Sequence, residues 1–282
     1  MTTTTVYDLY RAPLNVWVED PLTSSVLTAL WGDAQINVIV SEGKAGVLHM
    51  VGSAPARLRG KVYGVVDRDL EPDNKEGWKS QKGDVLRLPA HEFENILLDF
   101  EVLASLSKGS SPNAISARAR AYAGTLHCWM VCKAALREMQ QDLGSGFPAE
   151  PRVPPAHSAP KNLSEVEAYV QQHEYWSKHA AVFADWRDPQ FLRGKLQKWS
   201  EQYEDDLASG DWVTSFSGKE IFRDLRSHIP GLDEAPKRPP QPTPAERDEN
   251  LGKRVARKMR ELNRVPSALT ELREVLRTKA GL

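Results

Sequence analysis

Short apolar runs alternate with amphipathic stretches over the first hundred residues, which is the pattern of βαβ units and a mainly parallel sheet. Strands are expected at residues 15–19 (NVWVE), 36–41 (INVIVS), 61–67 (KVYGVVD) and 84–88 (DVLRL). Between the first two, Asp20 followed by Pro21 supplies an N-cap and a first-turn proline for a helix through Trp31. Residues 43–51 read as a second helix, and the polar, turn-rich stretch 70–83 as a loop. In residues 91–106, Phe93, Ile96, Leu97, Phe100 and Leu103 recur at helical spacing and predict a single helix.

Beyond Pro112 the pattern turns helical. Residues 114–143 read as one long helix, followed by a proline-rich connection at 144–161. Ser164 with Glu167 forms a capping box for a helix to Trp186, and Asp188 with Pro189 starts another that ends near Gly210. A short strand is expected at 212–216 and a helix at 218–229. Six prolines in 230–244 mark a linker or surface arm. The expected fold class is α/β, with a parallel sheet of about four strands, helices on both faces, and a mostly helical C-terminal region. The corresponding division is a sheet domain at 1–110, a helical region at 111–229, the linker at 230–244 and a helical tail at 245–282.

Composition narrows the class. The 282 residues are 40 % hydrophobic and 27 % charged, ordinary for a globular chain and unlike a disordered, collagenous or disulfide-framework protein. The two cysteines, Cys128 and Cys132, fall on one face of a predicted helix and read as buried free thiols. No apolar leader core and no membrane-spanning run is evident, so the expectation is a cytoplasmic protein without membrane association. The net charge of −1 conceals two unlike parts: residues 251–282 carry +6 and the rest of the chain −7. Such a basic helical segment suits phosphate backbones or an acidic partner. It equally suits a helix packed on the core through Val255, Met259, Leu262 and Leu269.

Acidic residues fall where predicted strands end, the edge at which open α/β sheets bind ligands. Glu19 closes the first strand; Asp67 and Asp69 close the third, with spacing that would project both to one side of the pleat and Arg68 to the other. Glu94 lies one turn into the helix after the fourth strand. Paired carboxylates suit a hard cation such as Mg²⁺. Each acid alone has a plainer reading, as a solvated strand end or as turn chemistry. His91, in HEFEN, reads first as a helix-start residue, since the sequence lacks the second histidine of HExxH. No phosphate-binding GxxxxGK[ST] loop and no GxSxG elbow occurs.

The order Val18-Glu19, then VVDRD at 65–69, then Glu94-Asn95 resembles a Toprim domain. More narrowly it is similar to DUF4435-type Toprim proteins, with GKAGV at 43–47 and a later Gly218-Lys219 matching further elements of their pattern. The resemblance covers 15–106 well and 212–229 loosely. It departs at Asp20, where the family carries Gly and where a helix N-cap is the better account of the aspartate. Relatives of this branch are the nuclease domains of OLD-type proteins and the effector subunits of two-gene anti-phage systems that pair a Toprim nuclease with an ABC-type ATPase. The resemblance therefore implies Mg²⁺-dependent (or Mn²⁺-dependent) phosphodiester hydrolysis in DNA or in RNA such as tRNA, under control of an ATPase partner, with homo-oligomerisation left open. It implies Asp67, Asp69 and Glu19 as metal ligands, Glu19 alternatively as general base, Glu94 as part of a second metal position, and Lys44 or Lys219 as substrate-binding cations. The competing expectation is a Toprim-like binding or regulatory module whose acids no longer act.

Overall fold

The computed structural model describes residues 10–70, 83–142, 153–174, 185–234 and 241–282. The first elements are β1 (Leu14–Val18), α1 (Pro21–Trp31), β2 (Ile36–Val40), α2 (Gly43–Gly52), β3 (Val62–Val66) and β4 (Val85–Arg87). The four strands form one all-parallel sheet in the order β2-β1-β3-β4. Burial follows that order. Every residue of β1 (LNVWV) and β3 (VYGVV) is buried, as uninterrupted apolar runs in a sheet covered on both faces should be, whereas the edge strand β2 is half exposed.

Two local features set the helices around the sheet. Asp20 caps α1, its carboxylate accepting from the Thr23 amide at 2.8 Å, with Pro21 in the first turn. Gly64 in β3 lets α2 approach. A Cβ there would stand 2.5 Å from Val47 Cγ1 and 3.2 Å from Val51 Cγ2 and Val85 Cγ2. Gly64→Ala is therefore expected to destabilise the protein by about 1–3 kcal/mol through overpacking, read as a lower urea midpoint at unchanged slope.

The helices that follow are α3 (Phe93–Ile96), α4 (Phe100–Leu106), α5 (Pro112–Thr125), α6 (His127–Asp142), α7 (Leu163–Gln172), α8 (Pro189–Ser209), α9 (Trp212–Ser215), α10 (Gly218–His228), α11 (Pro244–Glu261) and α12 (Ser267–Ala280). The expected helix over 91–106 is two helices, because Asp99 starts a new one by accepting from the amides of Glu101 and Val102. The expected helix over 114–143 begins at Pro112 and breaks at Leu126. The helix expected from Ser164 is capped by Asn162 instead, which accepts from the Glu165 amide at 2.9 Å, and it ends at Gln172. The expected strand at 212–216 is helical. Trp212 and Phe216, both buried, are spaced i, i+4 on one helical face, and Phe216 N–H bonds the Trp212 carbonyl. Five residues cannot distinguish alternation from a single helical turn. The expected loop at 70–83, the connection at 144–161 and the end of the 164–186 helix fall wholly or partly outside the described residues.

The chain divides into two compact units, Met1–Ser116 with Phe222–Leu282, and Ala117–Ile221. In the second, α8 packs against α6 and α7 over a core that includes Met130, Leu136, Val166, Leu192 and Leu196. Glu138 accepts from Lys195 Nζ and Trp199 Nε1. Cys132 is buried there as a free thiol, its pKa pushed up to about 12 by burial, and Cys128 is partly buried.

This division corrects the expectation of a separate basic tail at 245–282. Helix α11 packs on α1 through Leu251, Val255, Ala256 and Met259, and Gly252 brings the helices close enough that a Cβ would stand 3.0 Å from Val26 Cγ2. Helix α12 buries Leu269, Leu272 and Leu276, and its Leu269 carbonyl accepts from Trp31 Nε1. The basic residues are largely spent inside the unit. Arg273 and Arg277 both bond Asp33 at 2.7 Å, Arg264 bonds Asp99, Arg260 bonds the Ala29 carbonyl and Arg254 bonds the Gly231 and Leu232 carbonyls. Lys253, Lys258 and Lys279 have partners in Glu249, Glu261 and the Gly83 carbonyl. Of the two readings of this segment, packing on the core is the one observed, although Leu262 is exposed. No described helix is long and apolar enough to cross a membrane.

Candidate functional site

Strands β1 and β3 are neighbours, paired Val18 to Val65, so the residues that follow them emerge side by side at the C-terminal edge of the sheet. Glu19 follows β1 and Asp67 follows β3. The two are linked directly: the Asp67 amide donates to Glu19 Oε1 at 2.7 Å. The adjacent β2–α2 turn closes on the same place, with the Gly43 amide donating to the Glu19 carbonyl at 3.1 Å.

The geometry of Asp69 differs from the expected pleat. β3 ends at Val66, before Asp67, and Asp69 lies in the left-handed region at φ 53°. A turn, rather than strand alternation, therefore brings it back to the cluster. Its Oδ2 is 3.1 Å from Lys44 Nζ, and the same ammonium reaches the Asp67 carbonyl at 3.3 Å. Lys44, in the first turn of α2, thus stands beside the acids.

Glu94 is buried in α3, at 6 % exposure, and contributes to the field at Asp67. So does Glu92, which the sequence analysis did not single out; it caps α3, and its amide donates to Asn95 Oδ1 at 2.8 Å. The one available signal was HEFEN, where Glu92 and Glu94 flank a buried phenylalanine. Lys219 falls in the other compact unit. Asp20 is occupied with Thr23 as the N-cap of α1.

Two of these carboxylates, Asp67 and Glu19, have raised pKa values. Burial pushes Asp67 well above the usual carboxylate range, reinforced in turn by Glu19, Glu94, Glu92 and Asp69. Burial also lifts Glu19 to about 7, against the lowering effect of the Asp67 amide and the Lys44 charge. Among the described residues, Lys44 brings positive charge to these acids through its ion pair with Asp69.

Comparisons with protein-family models, with curated proteins and with solved structures find no match to this chain. The site therefore has to be judged on its own chemistry. Its donors are carboxylate oxygens, which suit a hard divalent cation such as Mg²⁺ or Mn²⁺. The raised pKa values of Asp67 and Glu19 are what a cation would relieve. Among the described residues, however, no three His, Cys, Asp or Glu side chains stand together closely enough to hold a metal, and Asp69 is directed at Lys44. The donor set fits such an ion in kind, with Lys44 in the position of competing cation.

Proposed function

We propose that the chain is a metal-dependent Toprim-type endonuclease that hydrolyses phosphodiester bonds in DNA or RNA, serving as an anti-phage effector under an ATPase partner. The reading rests on the juxtaposition of Glu19 and Asp67 at the ends of adjacent parallel strands, with Asp69, Glu94 and Lys44 around them. Asp67 and Asp69 would hold the cation, and Glu19 would serve as a further ligand or as the base. A bound Mg²⁺ or Mn²⁺ supplies positive charge to the phosphate and lowers the pKa of a coordinated water. Glu19 Oε1 is engaged by the Asp67 amide, which leaves Oε2 as the oxygen to receive a proton from attacking water. Lys44 Nζ, once released from Asp69, is a cation at a helix N-terminus, where a phosphate oxygen is well received.

Full-length protein offered plasmid DNA, single-stranded DNA and bulk tRNA is expected to cleave at least one of them in Mg²⁺ or Mn²⁺, and to bind Mn²⁺ in an EPR titration. Glu19→Gln and Asp67→Asn should lose both. Cleavage that persists in both variants would refute the site. Wild-type protein that neither binds Mn²⁺ nor cleaves would favour the inactive, binding-module reading.

A further inference from the structure

Asp69 is one of two non-glycine residues at positive φ among those described; the other, Asn263 at φ 55°, lies just past the end of α11, where left-handed backbone is the ordinary way to finish a helix. No helix precedes Asp69. Something else must hold it in a region that non-glycine residues seldom occupy.

That restraint comes from His91. The Asp69 amide donates to the His91 carbonyl at 2.8 Å, and the Asp69 carbonyl lies 2.6 Å from His91 Nδ1. A carbonyl only accepts, so Nδ1 carries a hydrogen and the neutral ring with its hydrogen on Nε2 alone is excluded. Two bonds running in opposite senses between the same two residues define both the position and the rotation of the Asp69 backbone. The ring itself is fixed, since His91 is buried at 1 % exposure. Its Nε2 faces Glu92 Oε1 at 3.8 Å, so the same ring spans Asp69 and the cap of α3.

We infer that His91 is a positioning residue: its carbonyl and Nδ1–H hold Asp69 left-handed, and thereby aim the Asp69 carboxylate at the strand ends where Lys44 now meets it. The inference rests on the reading of the acids as a divalent-cation site. It assigns His91 no contact with substrate or metal. Its effect is to spare the site the cost of ordering Asp69 each time a cation enters.

Three substitutions separate this role from mere filling of space. An Asn amide reaches the place of Nδ1–H, a Gln amide reaches the place of Nε2, and Ala supplies neither. In EPR titrations of the full-length protein, His91→Ala and His91→Gln are expected to weaken Mn²⁺ binding by about tenfold or more, the scale for removing a group that orients a ligand. His91→Asn should restore most of the affinity. Nitrogen NMR of the metal-free wild-type protein should show the Nδ1–H tautomer at His91. Wild-type affinity in His91→Ala, equal affinities in the Gln and Asn variants, or the Nε2–H tautomer would each overturn the positioning role. Wild-type protein without Mn²⁺ affinity would instead overturn the cation reading beneath it, and Asp67→Asn, which leaves the His91 bonds untouched, is the control that tells the two apart.

Discussion

Asp67→Asn is expected to abolish divalent-dependent cleavage and, in the same protein, to raise the melting temperature measured in chelator at pH 8. The loss should be on the order of 10³-fold, as when one preorganised charge-stabilising group is removed from a site. The gain follows from the same burial. Asp67 lies among Glu19, Glu94, Glu92 and Asp69, and its pKa is held well above the ordinary value because its ionised form is disfavoured in the folded state. A carboxyl with a raised folded-state pKa contributes stability that is fully present below its unfolded value and is lost as pH rises through the folded one. For Glu19 that window runs from 4.5 to about 7. The metal-free wild-type protein should therefore melt at lower temperature at pH 8 than at pH 6. An amide at position 67 removes a charge that this cluster disfavours, so the variant should melt about 3 °C or more above wild type at pH 8. It should also lose the part of that pH dependence that Asp67 contributes, while the part from Glu19 remains. A variant that melts lower than wild type at pH 8 would show that the carboxylates are not in net repulsion.

Removing residues 244–282 is expected to destroy the fold of the sheet unit. Leu251, Val255 and Met259 of α11, with Leu269, Leu272 and Leu276 of α12, are all buried to 1 % exposure or less. Each fully buried side chain of this size contributes roughly 1.5–3 kcal/mol, so the six together contribute about 10 kcal/mol or more. That is comparable to the entire stability of a typical domain, about 5–15 kcal/mol. The truncated chain should accumulate in the insoluble fraction, or show no cooperative thermal transition. Met259→Asp, which puts a charge into the α1–α11 contact without shortening the chain, should cost about 3–5 kcal/mol. A truncated protein that unfolds cooperatively near the wild-type temperature would restore the picture of a detachable basic tail.

That second expectation turns on what local pattern can reveal. The charge excess of residues 251–282 is plain in the sequence, and so is the apolar stripe beneath it. Which one matters depended on partners far away in the chain: Asp33 for Arg273 and Arg277, Asp99 for Arg264, and Leu22 and Val26 for the close approach at Gly252. The helix breaks were hidden for a related reason. Asp99 and Asn162 interrupt or begin helices by side-chain hydrogen bonds that compete with continuation of the helix, and apolar spacing is indifferent to them.

The sequence by itself determined the four parallel strands, since two uninterrupted apolar runs and two flanking ones carry their burial in their composition. It determined the Asp20-Pro21 start of α1, because capping is settled within four residues. It also determined that Glu19 and Asp67 stand at strand ends. Only the tertiary structure decided that those ends are adjacent, that Lys44 and Glu92 belong with them, and that a buried histidine 22 residues away holds Asp69 at positive φ. The physical reason is the same in each case. Periodicity and caps are short-range and leave their mark in neighbouring letters, whereas charge–charge contact and the clip on a left-handed residue arise only once separate strands and loops are brought to one edge.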